Sequence, residues 1–483
     1  MILRGSHALF FQKAMEGDPA FAEVEFCKSI TMKGTIMQRS IRKLTVVGVT
    51  LAMGLVGLSG CGSQGGNNGS KASGGKVYYM NFKPEVATQW EDLAKQYTDE
   101  TGVQVHVQTA ASGTYDQALK SEMSKTEAPT LFQVTGPVGL RTWKDYVSDI
   151  SGTEPYKQLE DKSTALKDDA GHVVAVPFVT ESIGIIYNKE ILDKYCQLSD
   201  AAVKSPREIK SFQKLKAVAD GLQKHKDDLG IKGAFTSAGM DSSSNWRFGQ
   251  QLAAVPLYYE FKDENTVQKQ PATIKGTYLP EFKQIWDLYL KDSTVEPSKL
   301  GSLTLDDANS EFATGSAAFY QNGTWAWTDL RDAGFKPENV GMIPMYIGIK
   351  GEEKQGLTTG TMNYWCINKK ASKQDRKATE DFLKWVITSD EGKKAMSEDM
   401  GFTTPFKSFA DVKTDNPLVE ISQKDTKSKT EKIPWVHTMQ PSATYQNNIY
   451  DAMLEYAQGT GDWNTVVHRF VDGWAAEIQA SKN

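Results

Sequence analysis

Trp325 follows a tight Asn322-Gly323 turn at the end of an apolar run, where a strand would hand a flat ring to a cleft. Trp246 closes the polar stretch Asp241-Ser242-Ser243-Ser244-Asn245 and opens a helix. Asp241 could hold ligand hydroxyls or cap that helix. Rings paired with carboxylates and amides suit a ligand with apolar C–H faces and a polar edge, such as a sugar. Burying the faces against a large ring is favourable, and each buried hydroxyl demands a partner. Such capture moves no proton. The chain has 11 Trp, 18 Tyr and 20 Phe, enough to line a site as well as a core.

A second group is placed by the rule that ligands of open α/β sheets bind beyond the carboxyl ends of strands. Asn81, Phe82 and Lys83 follow the first strand, and Gly136 follows a strand ending at Thr135. Glu181 could face a cleft or carry a solvated charge. Gly360 and Thr361 precede a strand with Tyr364 and Trp365, and the backbone at Gly360 could approach a ligand closely. Tyr364 and Trp365 point to opposite faces, so at most one reaches a cleft.

These positions need a scaffold, and the chain alternates strand and helix along its length. Val77 to Phe82 reads as a strand. Pro84 to Glu100 reads as a helix with Val86, Trp90, Leu93 and Tyr97 on one face and Gly102 as its stop. Val103, Val105 and Val107 alternate as a half-buried strand. Ser205-Pro206-Arg207-Glu208 predicts a helix start with a capping box. Further helices begin near Ser372 and Asn464. Cys196 and Cys366 read as two buried thiols. The histidines show no metal spacing. A net charge of -5 gives no sign of nucleic-acid binding.

The N-terminal region carries an address. Arg39, Arg42 and Lys43 precede the apolar stretch Leu44 to Leu58, which leads to Leu58-Ser59-Gly60-Cys61. This resembles the signal peptide and lipobox of a bacterial lipoprotein, with Cys61 the lipidated first residue of the mature chain. Residues 1–60 are then a leader containing a signal peptide at 37–60. Residues 61–75 are the anchor and a Gly/Ser/Asn tether. The mature part, 61–483, is a little over 420 residues, enough for two domains.

From Lys76 onward, several stretches resemble the extracellular solute-binding proteins of carbohydrate ABC transporters, the group containing maltose-binding protein. They are Val77-Tyr78-Tyr79-Met80-Asn81-Phe82, Ala128-Pro129-Thr130-Leu131-Phe132 and Val176-Pro177-Phe178 leading to Gly184-Ile185-Ile186-Tyr187-Asn188-Lys189. Phe312 to Phe319 closing on Asn322-Gly323-Thr324-Trp325-Ala326-Trp327 is a fourth, and Ile367-Asn368-Lys369 to Gly401-Phe402-Thr403-Thr404-Pro405 a fifth.

The resemblance implies a two-lobed α/β fold of the periplasmic-binding-protein type II, with a multi-strand hinge. Lobe one would take 76–178 and 344–400, and lobe two 183–343 and 401–483. Hinge strands would lie near 178–182 and 342–346. It also implies a sugar-stacking role for Trp325 and an aromatic platform at Tyr445. The expected protein is a monomeric, non-catalytic, lipid-anchored carrier without a cofactor, handing a carbohydrate to ABC permease subunits. The rivals are a glycosidase needing two placed carboxylates, a sensor or adhesin, and the same fold binding a peptide, polyamine or iron complex.

Overall fold

The computed structural model describes residues 74–111 and 113–481. The leader, the lipobox and Cys61 lie outside these residues, as does most of the tether. Among the described residues, no helix is long and apolar enough to cross a membrane.

Among the described residues, twelve strands form two sheets: β1 (Val77–Asn81), β2 (Val105–Thr109), β3 (Leu131–Thr135), β4 (Leu166–Lys167), β5 (Val173–Pro177), β6 (Glu181–Asn188), β7 (Gly233–Phe235), β8 (Ala317–Gly323), β9 (Val340–Ile343), β10 (Gln355–Gly360), β11 (Asn363–Ile367) and β12 (Glu431–Pro434). The first sheet runs β2-β1-β3-β11-β5-β4, and the second runs β12-β10-β6-β8-β7, with β9 also on β6. In the first, β1 is parallel to β2 and β3, while β11 enters antiparallel between β3 and β5. Each sheet forms one lobe with its covering helices.

The helix Ala87–Thr101 shows how pattern becomes packing. Trp90, Leu93, Ala94 and Tyr97 are buried at steps of three and four, and the helix ends at Gly102 in the left-handed region, φ 75°. The preceding Pro84–Val86 is a separate 3₁₀ turn. Ser205 accepts from the Arg207 N–H but caps only the short turn Pro206–Glu208. The long helix is Phe212–Lys224, capped by Ser211. The extended backbone at Ile209 separates the two, and Glu208 bonds Lys204 instead of completing a capping box. Cys196 and Cys366 are both free and buried.

Two segments lie on the other side of the lobe boundary from where the sequence predicts. β10 pairs with β6 and β12, so it belongs to the second sheet. Met345, Tyr346, Ile347 and Ile349 sit in the same apolar cluster as Phe235 and Trp286 of that lobe. Conversely Phe402, Phe406 and Phe409 join the first lobe's core around Trp365. A near-parallel stack runs Phe178–Trp365–Phe406, with centroid separations of 4.6 and 6.2 Å. The chain therefore passes between sheets after β5, between β10 and β11, and after Phe409. It makes no passage near 342–346, because β9 stays on β6.

Candidate functional site between the lobes

β8 presents Trp325 at its end. A Cβ on Gly323 would lie 2.0 Å from the Trp325 ring, so only glycine lets the indole fold back over the strand end. The ring is half-buried. Trp246, from the loop before the π-turn Arg247–Leu252, stands 6.1 Å from it. Trp435, just beyond β12, stands 6.3 Å away and edge-on. Trp435 is fixed by its Nε1, which donates to the Thr358 carbonyl at 3.0 Å, and by Gly360, where an added Cβ would meet Cγ at 2.7 Å. Three indoles from distant parts of the sequence thus meet beside the crossing between β10 and β11.

Lobe one supplies Lys83. Its Nζ is 2.7 Å from Glu181 Oε1 and 3.2 Å from Glu85 Oε1, and 5.5 Å from the Trp325 ring centre. Lys83 and Glu181 are both buried. Burial drives the Glu181 carboxyl up against the pull of Lys83. Burial also opposes the ammonium, but Glu181 and Glu85 outweigh it and hold Lys83 charged. Asn81 is wholly buried and shapes this turn: its Nδ2 donates to the Lys83 carbonyl and Thr109, and its Oδ1 accepts from the Lys83 N–H. The Phe82 N–H donates to Gln133 Oε1 at 2.6 Å, and its ring packs on Tyr115.

Other contacts join the lobes. Gly136, at φ 62°, donates its N–H to the Met362 carbonyl, and a Cβ there would sit 3.3 Å from Thr438. A Cβ on Gly113 would sit 2.3 Å from the Ser242 carbonyl oxygen. Asp241 accepts from the Ser243 N–H at 2.8 Å, which holds its carboxyl below the usual range; it shapes the loop bearing Trp246. The buried Oγ1 of Thr361, at the crossing itself, has no hydrogen-bond partner among the described residues.

A family model described as "Bacterial extracellular solute-binding protein" matches residues 92–429. The chain belongs to this family. It is similar to the maltotriose-binding protein of Pyrococcus abyssi, 25% identical over 342 residues, covering 68% of this chain and 66% of that one. It is also similar to the melibiose/raffinose/stachyose-binding protein MelE of Bacillus subtilis, 24% identical over 237 residues, covering 48% of this chain and 53% of that one. The chain thus matches just under two thirds of the first relative's length and about half of the second's. Among solved structures, the solute-binding protein RafE in complex with raffinose shares the fold at TM-score 0.64 and 17% identity, covering 84% of this chain and 100% of that one.

In this solute-binding protein two of the predicted residues stand apart from the group. Tyr445 is 1% exposed; its hydroxyl donates to the Phe470 carbonyl and its ring packs edge-on against Phe470 and Trp474 inside lobe two. It is a core residue at the start of the helix Ala443–Ala457, where Tyr445, Ile449, Ala452 and Met453 fall on the buried face. Tyr364 belongs to the apolar cluster on the face of the first sheet opposite Trp365, and burial pushes its phenol up to about 12. Trp435 and His437 are the residues that sequence reasoning missed. The His437 ring lies 5.2 Å from Trp435, is 1% exposed, and is pushed by burial down to about 3, so it is neutral. The Trp-Val-His spacing carries no motif; the one available signal was a Trp directly after the strand ending Ile433-Pro434.

Proposed function

We propose that the protein captures a carbohydrate, an oligosaccharide, between its lobes and delivers it to the permease of an ABC transporter. It works outside the cytoplasm as a monomer, held to the membrane through lipid on Cys61, with no catalytic step and no cofactor. The observation that carries the reading is the meeting of Trp246, Trp325 and Trp435 where the lobes adjoin. Indole faces bind the C–H faces of sugar rings by burying apolar surface. The names of the relatives, which specify maltotriose and raffinose-type sugars, support the same class. Closure over the ligand would follow its tighter binding to the closed form.

The test is a thermal-shift screen of residues 76–483 with maltotriose, raffinose, melibiose and stachyose, followed by calorimetry. Binding to the native state raises the melting temperature. A shift with one sugar class supports the reading. Shifts only with peptides, polyamines or metal chelates overturn it.

A further inference from the structure

Lobe two buries polar atoms that its own fold leaves without partners. His437 lies in the 3₁₀ turn Val436–Met439, and Gln440 follows it directly. Gln251 lies in the π-turn Arg247–Leu252. That π-turn runs into the helix Ala254–Asp263, which packs against the 3₁₀ turn. All three side chains are at most 4% exposed. Both ring nitrogens of His437, Oε1 of Gln251 and Oε1 of Gln440 have no hydrogen-bond partner among the described residues. The Gln440 amide is otherwise fixed, because its Nε2 donates to the Gly249 carbonyl at 2.8 Å. That bond orients its free oxygen.

Each such atom costs the fold desolvation that nothing within it returns. The two elements that carry these atoms also carry the site's rings: Trp246 immediately precedes the π-turn, and Trp435 immediately precedes the 3₁₀ turn. π-turns are rare and gather at functional sites. Thr438, next to His437, meets Gly136 of lobe one, so this turn stands where the lobes adjoin.

We infer that Gln251, His437 and Gln440 form the polar end of the ligand site, and that they select an uncharged, hydroxyl-rich group. This rests on the carbohydrate reading and sharpens it. A neutral imidazole offers one N–H and one lone pair. With the two amide oxygens, the unpartnered atoms comprise three acceptors and one donor. A ligand that satisfies these atoms must donate hydrogen bonds to the three acceptors. Sugar hydroxyls can donate such bonds; a carboxylate, with no N–H or O–H, cannot.

The experiment is calorimetry of the wild type, His437→Phe and Gln251→Met against maltotriose, raffinose and an oligogalacturonate, with melting temperatures measured in parallel. Wild type should bind a neutral sugar and reject the oligogalacturonate. Each variant should lose about tenfold in affinity while melting at or above the wild-type temperature. In addition, the His437 imidazole ¹⁵N shifts should move when the neutral sugar is added. Unchanged affinity with a lowered melting temperature means a structural role and overturns the assignment alone. Tight binding of the oligogalacturonate overturns the selectivity but keeps a carbohydrate carrier. No binding of any sugar by the wild type overturns both readings.

Discussion

The two lobes meet the cleft in opposite ways. Around Lys83, lobe one brings groups engaged with one another, Lys83 with Glu181 and Glu85 and Asn81 with Lys83 and Thr109, although Gln133 Nε2 and Asn363 Oδ1 have no hydrogen-bond partner among the described residues. Lobe two brings three indoles together with the buried polar atoms of Gln251, His437 and Gln440, which have no partner among the described residues. The first arrangement fastens a turn to a crossing strand, and the second leaves binding capacity unspent. A cleft of this kind separates the task of holding the lobes in register from the task of gripping a ligand.

The largest expected effect tests the fastening. Glu181→Gln leaves Lys83 buried with only its longer contact to Glu85, which should cost about 3 kcal/mol of folding stability in urea titration. The double replacement Lys83→Met with Glu181→Leu should recover most of it, because the buried charge is then gone. Affinity should fall less than stability does. A stable Glu181→Gln protein would erase the contrast between the lobes.

Trp325→Ala should do the reverse: about 2–3 kcal/mol of binding free energy lost by calorimetry, with a smaller change in melting temperature. Unchanged affinity removes Trp325 from the site. Gly360→Ala acts on the same group at one remove. Its Cβ would displace Trp435, and a loss of about 1 kcal/mol in affinity is expected.

A further expected effect is a pH slope where Asp329 approaches Glu85. Burial, then the approach of Glu85 from lobe one, raise Asp329 of the helix Ala326–Asp332 to about 7. The folded chain holds this proton between the ordinary carboxyl range and about pH 7, while the unfolded chain has released it. Stability from this group is therefore fullest in acid, falls across that window, and is level above it. Asp292, raised to about 6, adds a slope of the same sign, so the check is the difference between wild type and Asp329→Asn. A wild-type slope identical to that of the variant removes Asp329 from the account.

The architecture was largely legible in sequence because the alternation of strand and helix is written in local periodicity, as Trp90, Leu93 and Tyr97 show. The strand end before Trp325 was legible, but Asn322 and Gly323 are the last paired residues of β8 and the turn falls at Thr324-Trp325. What escaped depends on partners far away in the chain. β10 looks like a neighbour of β11 in sequence, yet hydrogen bonds to β6, about 170 residues earlier, decide its sheet. Phe402 and Phe406 cross to lobe one because Trp365 and Phe178 offer stacking faces there. Trp435 and His437 gain meaning only beside Gly360 and Trp325. Tyr445 misled because a loose family likeness outweighed its own helical spacing, which marks a buried face.

The position of β11 also sets an order of events during synthesis. It occupies the middle of the first sheet, yet it leaves the ribosome after all five strands from β6 to β10. A chain halted before Asn363 holds β1–β3 and β4–β5 as two groups with no strand pairing between them. The second sheet at that stage lacks only its edge strand β12. Pairings of such long sequence separation form slowly. The first sheet is therefore completed late, after strands β6–β10 of the second are already available to pair with one another.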